Sequence, residues 1–161
     1  MTTLLLNAET FVRRDPDAVF RELHDPEKLL GCVPGATLTR LTGPGSFEAR
    51  IAIGLGPFKP QYRGRGRIVA SDPKARTASL ELTGDPSANL ATVRVHTAMS
   101  IAERPGGSEI RMTFEVAMSE RTWLLGRGWL DAVACDLLDQ TTRRLKRQLE
   151  EPAVMPMPPA A

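Results

Sequence analysis

His24-Asp25-Pro26-Glu27-Lys28-Leu29-Leu30-Gly31-Cys32-Val33-Pro34-Gly35-Ala36 joins the start of a short helix to an exit that feeds directly into strand-rich sequence. Asp25 is placed to cap a helix beginning with Pro26 and Glu27, and Pro34-Gly35 forces the chain out of helical geometry and back toward a sheet. Just upstream, Phe11-Val12-Arg13-Arg14 reads as the end of a strand, and Asp15-Pro16-Asp17-Ala18-Val19-Phe20 as a second capped helix. The order is strand, helix, helix, strand. Two short helices bounded by prolines and attached through turns read as a lid over a cavity. Leu29, Leu30 and Val33 would face its mouth, and Pro34-Gly35 would be the point of bending.

Working outward, turn punctuation recurs at Gly43-Pro44-Gly45, Ser71-Asp72-Pro73, Gly84-Asp85-Pro86 and Arg104-Pro105-Gly106-Gly107. Hairpins follow from such regular breaks, with strands expected at Phe47–Ile53, Gln61–Ala70, Ala78–Thr83, Thr92–Ile101 and Glu109–Met118. Alternation sends Phe47, Ala49, Ile51 and Ile53, then Val93, Val95, Thr97, Met99 and Ile101, then Ile110, Met112, Phe114, Val116 and Met118 to one interior face. Glu48, Arg50, Arg94, His96, Arg111 and Glu115 would face water. From Thr122 to Glu151 the period becomes helical, with Leu130, Val133, Ala134, Leu137, Leu138, Leu145 and Leu149 near one stripe. At ~1.5 Å per residue this helix is ~45 Å long.

One long helix and two short ones cannot fill a strongly curved sheet along its whole length, so a pocket is expected. Its candidate lining is Phe47, Ile51, Tyr62, Leu80, Leu82, Val95, Met99, Met112, Phe114, Val116 and Met118, with Leu125, Trp129, Leu130 and Val133 from the helix. Leu125 and Trp129 would close against Leu29, Leu30 and Val33. Gly64 and Gly66 alternate with Arg63, Arg65 and Arg67, and they either let the sheet bend or clear space for a ligand. Methionines suit an irregular apolar ligand, because the thioether is adaptable and polarizable.

Composition bounds the function classes. A chain of 161 residues, 42% hydrophobic and 25% charged, makes one globular domain. Net charge of +2 gives no field for bulk nucleic-acid binding. The N-terminus lacks a basic region before its apolar residues, and no apolar run approaches the ~18 residues of a membrane span. Cys32 and Cys135 fit no metal or redox spacing, so two free thiols in a reduced, cytoplasmic chain are expected. His24 and His96 sit on different elements without neighbouring ligands, so no metal site is expected. No G-x-S-x-G elbow is present, and neither Gly54-Leu55-Gly56-Pro57 nor Gly64-Arg65-Gly66 opens a helix as a phosphate cradle does. Tyr62 is left as a core aromatic, a hydrogen-bond donor to a ligand, or an acid–base group. Arg143, Arg144, Lys146 and Arg147 crowd the last turns of the long helix, where they compensate its dipole or meet an anionic membrane or a partner.

The strand–helix–helix–strand order, with D-P-E at Asp25-Pro26-Glu27 and V-P-G-A at Val33-Pro34-Gly35-Ala36, resembles the carbon monoxide dehydrogenase G-subunit family of the START-like (SRPBCC, helix-grip) superfamily. The resemblance runs from Leu4 to Leu149. It implies an α+β helix-grip fold, a curved antiparallel sheet wrapped around a long C-terminal helix, with a START-like ligand-binding domain over residues 1–151. The Pro- and Met-containing residues 152–161 would be a flexible tail. It further implies a non-catalytic, cofactor-free binder of an apolar small molecule such as a quinone or lipid. Such a protein would be accessory to a molybdenum-containing dehydrogenase and would make only transient contact with the inner membrane surface. A cyclase- or hydratase-type enzyme using the same cavity and an assembly factor acting through its surface are the alternatives.

Overall fold

A computed structural model describes residues 2–52, 61–86, 92–118 and 127–150. Strand β1 (Thr2–Val12) leads into two short helices, α1 (Pro16–Leu23) and α2 (Pro26–Gly31). Six strands follow: β2 (Ala36–Gly43), β3 (Ser46–Ala52), β4 (Gln61–Asp72), β5 (Thr77–Pro86), β6 (Val93–Arg104) and β7 (Gly107–Met118). The described part ends in helix α3 (Arg127–Glu150). This is the α+β helix-grip architecture expected. The α3 start expected at Thr122, the strand end at Ile53 and the tail at 152–161 lie outside the described residues.

The capping chemistry is the one the two Asp-Pro pairs encode. Asp15 accepts a hydrogen bond from the Ala18 amide at 3.2 Å, and Asp25 from the Glu27 amide at 3.0 Å. Each is followed by proline in the first helical turn, where a missing N–H leaves nothing unpaired. The exit is equally specific. Gly35 has φ +77°, and a Cβ there would collide with the carbonyl oxygen of Ala52. Its own carbonyl accepts from the Ala52 amide at 2.9 Å. Only glycine meets both demands, and the contact starts β2 beside β3.

All seven strands form one antiparallel sheet in the order β1-β7-β6-β5-β4-β3-β2, a meander from β2 to β7 completed by β1 at the far edge. An extra residue at Val69 in β4 and register shifts in β2 curl the sheet. Its concave face is sealed at one end. There Val12, Val19, Phe20, Leu23, Cys32, Ile101, Ile110, Met112, Leu145 and Leu149 form one buried cluster from β1, α1, the α2 cap, β6, β7 and the last turns of α3. Polar ties hold the two short helices to this end. Arg76 Nε donates to Asp17 at 2.8 Å, the His24 ring meets Ser71 Oγ at 3.0 Å, and the buried Ser108 hydroxyl donates to the Arg14 carbonyl at 2.6 Å. Glu22, buried on α1, pairs with Arg14 and with Lys28.

Cys32 is wholly enclosed here, and its thiol donates to Gln148 Oε1 at 3.3 Å. Burial, aided by the Glu22 carboxylate and opposed by Arg144, pushes the thiol up from 9.0 to about 11. Between those values the unfolded chain has lost a proton that the folded chain keeps. The unfolded state then binds fewer protons, so stability is full below the ordinary thiol value and falls as pH rises toward the folded one. At about 1.4 kcal/mol per unit, this one group removes about 2–3 kcal/mol. Urea unfolding between about pH 8 and 11 should therefore show a steeper decline in wild type than in Cys32→Ala; parallel declines would place the thiol in an ordinary environment.

Candidate functional site

The concave face is a grid set by strand register. Moving away from the sealed end, its cross-strand rows are Ala8–Met112–Met99–Ala78, then Leu6–Phe114–Thr97–Leu80–Ile68, then Leu4–Val116–Val95–Leu82–Gly66–Phe47. A last pair of rows runs through Val93, Gly84, Gly64 and Ala49 to Tyr62 and Ile51. These positions alternate with Arg50, Arg94, His96, Arg111 and Glu115, which are exposed as expected. Burial changes along the grid. Ile110, Ile101 and Met112 are at most 5% exposed, whereas Leu80, Leu82, Val95, Phe114, Val116, Tyr62 and Ile51 point inward and are only half-buried. The upper part of the expected lining is thus an apolar, inward and incompletely covered wall. Met99 and Met112, both expected in this lining, pair across strands at its floor and join the sealed core.

Several expected members sort differently. Leu125 lies outside the described residues, as do the side chains of Met118, Trp129, Leu130 and Val133. Phe47 is 2% exposed and forms a second buried cluster with Leu30 and Ala49, against which Leu38, Ala36, Leu80 and Leu82 pack. The two glycines part company. The ladder runs regularly through both on each side, so neither is a bulge. A Cβ at Gly66 would collide with the Phe47 ring and stand 2.6 Å from Leu82 Cδ2. Gly66 thus makes room for a core phenylalanine, which corrects its expected role of clearing space for a ligand. A Cβ at Gly64 would meet, among the described residues, only the carbonyl oxygens of Ala49 at 3.6 Å and Thr83 at 3.9 Å. Those atoms lie in the sheet, so no described side chain fills the space above Gly64. The Tyr62 ring lies against the neighbouring Gly84, where a Cβ would stand 3.5 Å from Tyr62 Cδ1, and Gly64 and Ala49 are themselves buried.

Burial raises the Tyr62 pKa, so the half-buried phenol stays protonated and serves as a hydrogen-bond donor at neutral pH. The inward strand positions otherwise carry described polar side chains at Thr10, Ser71, Thr97 and Ser108, of which Ser71 and Ser108 belong to the ties of the sealed end. The Thr97 hydroxyl is completely buried and has no hydrogen-bond partner among the described residues. Alternation placed Thr97 inward but did not single it out, although a threonine following Val93 and Val95 in one inward series was the readable signal.

The expected lid is seated elsewhere than expected. Leu30 is buried on Phe47 and Ala49, Leu29 packs on the sealed core, Val33 and Pro34 are half-buried, and Gly35 is bonded to Ala52. Gln148 Nε2 donates to the Lys28 carbonyl at 3.3 Å and its Oε1 receives the Cys32 thiol, so α2 contacts the last turns of α3, and the contact expected with Leu125 and Trp129 lies outside the described residues. The basic cluster is also partly spoken for. Arg143 pairs with Asp139 at 2.7 Å, and Lys146 with Glu150 at 3.7 Å and with the Phe11 carbonyl. Arg144 and Arg147 remain exposed with no ion pair among the described residues. On the convex face, Arg65 and Arg67 pair with Asp85 and Glu81 beside a polar groove of about 420 Å³ that also touches Thr42, Ser46, Glu48 and Thr83. Its charges compensate one another, so no strong field points at a ligand.

Comparison with known proteins agrees with this geometry. The family model for CoxG, the G-subunit family of carbon monoxide dehydrogenase, matches residues 9–150. A conserved protein from Geobacillus kaustophilus has a similar solved structure, with a TM-score of 0.78 at 18% identity over 91% of this chain and 95% of that one. The ZhuI aromatase/cyclase from Streptomyces sp. R1128 gives a TM-score of 0.67 at 13% identity over 92% and 94%. Truncated norcoclaurine synthase from Thalictrum flavum gives 0.65 at 14% over 94% and 96%. At these identities the likeness is one of fold. No curated protein matches in sequence.

The contrast between the glycines is directly testable. Gly66→Leu should lose about 1–3 kcal/mol or more by overpacking Phe47. Gly64→Leu should keep its cooperative melt and lose most of its uptake of an apolar fluorophore. A Gly64→Leu protein as destabilised as Gly66→Leu would show that the space above Gly64 is filled.

Proposed function

The chain belongs to the CoxG family of carbon monoxide dehydrogenase, and from that premise we propose that it is a non-catalytic carrier of an apolar small molecule, a quinone or another lipid. The observation that carries this reading is the half-buried apolar wall formed by Leu80, Leu82, Val95, Phe114 and Val116 above a sealed core. Such a wall binds by area. Each CH₂ moved from water into it gains about 0.8 kcal/mol, so a long tail is held firmly with few polar contacts. Among the described residues, the inward strand positions bring no carboxylate or imidazole to this wall. Tyr62, kept protonated by burial, supplies a donor rather than a base. The family description names the enzyme with which this carrier would work, a carbon monoxide dehydrogenase. Its task would be to connect such a molybdenum enzyme to the membrane electron-transport chain. Among the described residues no helix is long and apolar enough to cross a membrane. Contact with an anionic bilayer would rest on the exposed Arg144 and Arg147 and be weak and salt-sensitive.

Organic extraction of the purified full chain, followed by mass spectrometry, tests the carrier reading. A co-purifying isoprenoid quinone or other lipid is expected, together with saturable rebinding by the stripped protein. A protein that is empty on purification and takes up no quinone would overturn it. Arg144→Glu with Arg147→Glu should lower sedimentation with anionic liposomes at low salt while leaving rebinding intact. Unchanged sedimentation would remove the membrane contact.

A further inference from the structure

The outward face of the sheet is unevenly charged, and the excess lies at the end away from the sealed core. One outward row runs Thr37–Arg50–Arg63–Asp85 across β2 to β5, and the next runs Arg40–Glu48–Arg65–Thr83–Arg94 across β2 to β6. Five arginines thus stand among two carboxylates, whereas the whole chain has a net charge of only +2. Both carboxylates are engaged. Glu48 pairs with Arg40 at 3.2 Å, and Asp85, although opposite Arg63 in register, turns to Arg65 at 3.7 Å and accepts the Thr92 hydroxyl at 3.4 Å. Arg50, Arg63 and Arg94 are exposed and have no ion pair among the described residues. Arg50 and Arg63 face each other directly across β3 and β4, the like-charge arrangement that destabilises an antiparallel pair. Elsewhere on the same face arginines are compensated, Arg67 by Glu81 and Arg111 by Glu9 and Glu109. The connections at the charged end, residues 53–60 and 87–92, contain no Asp or Glu and add Lys59.

We propose that this patch docks an acidic protein surface, with Arg50, Arg63 and Arg94 as its ion-pairing contacts. All five cations of the two rows are arginine. The guanidinium fork grips a carboxylate through two parallel hydrogen bonds, and arginine is enriched in protein–protein interfaces where lysine is depleted. A bilayer also attracts cations, but it binds in proportion to the apolar side chains that enter it. The exposed large hydrophobic side chains among the described residues, Leu5, Phe11, Leu41 and Val69, all lie in other rows. Carboxylates laid over the opposed pair relieve a repulsion that the free chain bears. The inference rests on charge and register alone, so it is independent of the carrier reading.

The test follows fluorescein-labelled polyglutamate by anisotropy with the full chain at low salt, and compares two triple variants that lower the net charge equally. Arg50→Gln with Arg63→Gln and Arg94→Gln should weaken the affinity about tenfold. Arg13→Gln with Arg21→Gln and Lys74→Gln removes three exposed cations at the sealed end and should change it by less than about twofold. Arg50→Glu alone should weaken binding yet melt no lower than wild type, since it turns a like-charge pair into an opposite one. Equal losses in the two triple variants would reduce the effect to net charge and overturn the patch, as would a wild-type chain that binds no polyglutamate. If the first triple variant keeps its polyglutamate binding and loses sedimentation with phosphatidylglycerol vesicles, the surface belongs to a membrane and the protein-docking inference is overturned.

Discussion

A single helix has to cover the concave face of a seven-stranded sheet, and it is too narrow to do so. Strands spaced ~4.8 Å apart make a seven-stranded sheet ~29 Å wide, whereas a helix with its side chains is ~10–12 Å across. Curling the sheet at Val69 and in β2 reduces the deficit without removing it. The chain closes the rest at one end only. There α1 and α2 wedge beneath the final turns of α3, and Leu145 and Leu149 are buried with Val12, Val19 and Ile110. At the other end the apolar wall stays half-buried.

Buried packing is thereby concentrated in one half of a continuous face. The sealed half carries nearly all the described fully buried hydrophobic side chains, and its polar ties, Arg76 to Asp17, His24 to Ser71 and Ser108 to Arg14, fasten the short helices to the sheet. Among the described residues the other half carries small residues at Ala49, Gly64 and Gly84, the first two buried, and inward polar groups at Tyr62 and Thr97. The solved structures with this fold include an aromatase/cyclase and a synthase, so the fold alone does not set the chemistry.

Local chemistry made most of the architecture legible in advance. Asp15-Pro16, Asp25-Pro26 and Val33-Pro34-Gly35 act within a few residues, so their caps and exit can be read from spacing alone, and alternation assigns the faces of β3, β6 and β7 correctly. What stayed hidden depends on contacts between distant segments. Gly66 serves Phe47 on the next strand, which no spacing announces, whereas a Cβ at Gly64, two residues away, would meet only backbone oxygens among the described residues. The seat of α2 on Gln148 likewise joins positions more than a hundred residues apart. The Asp139–Arg143 pair, by contrast, has the spacing of a local helical ion pair and was there to be read.

The position of β1 governs when the concave face is completed. From β2 to β7 every strand pairs with its neighbour in sequence, so that meander is assembled from hairpins soon after each is synthesised. β1 leaves the ribosome before the other six strands, yet its partner β7 begins only at Gly107, and α3, which packs along β1, is later still. For most of synthesis Leu4, Leu6, Ala8 and Val12 have no neighbouring strand to rest on. The β1 edge of the concave face is therefore the part of the sheet completed last.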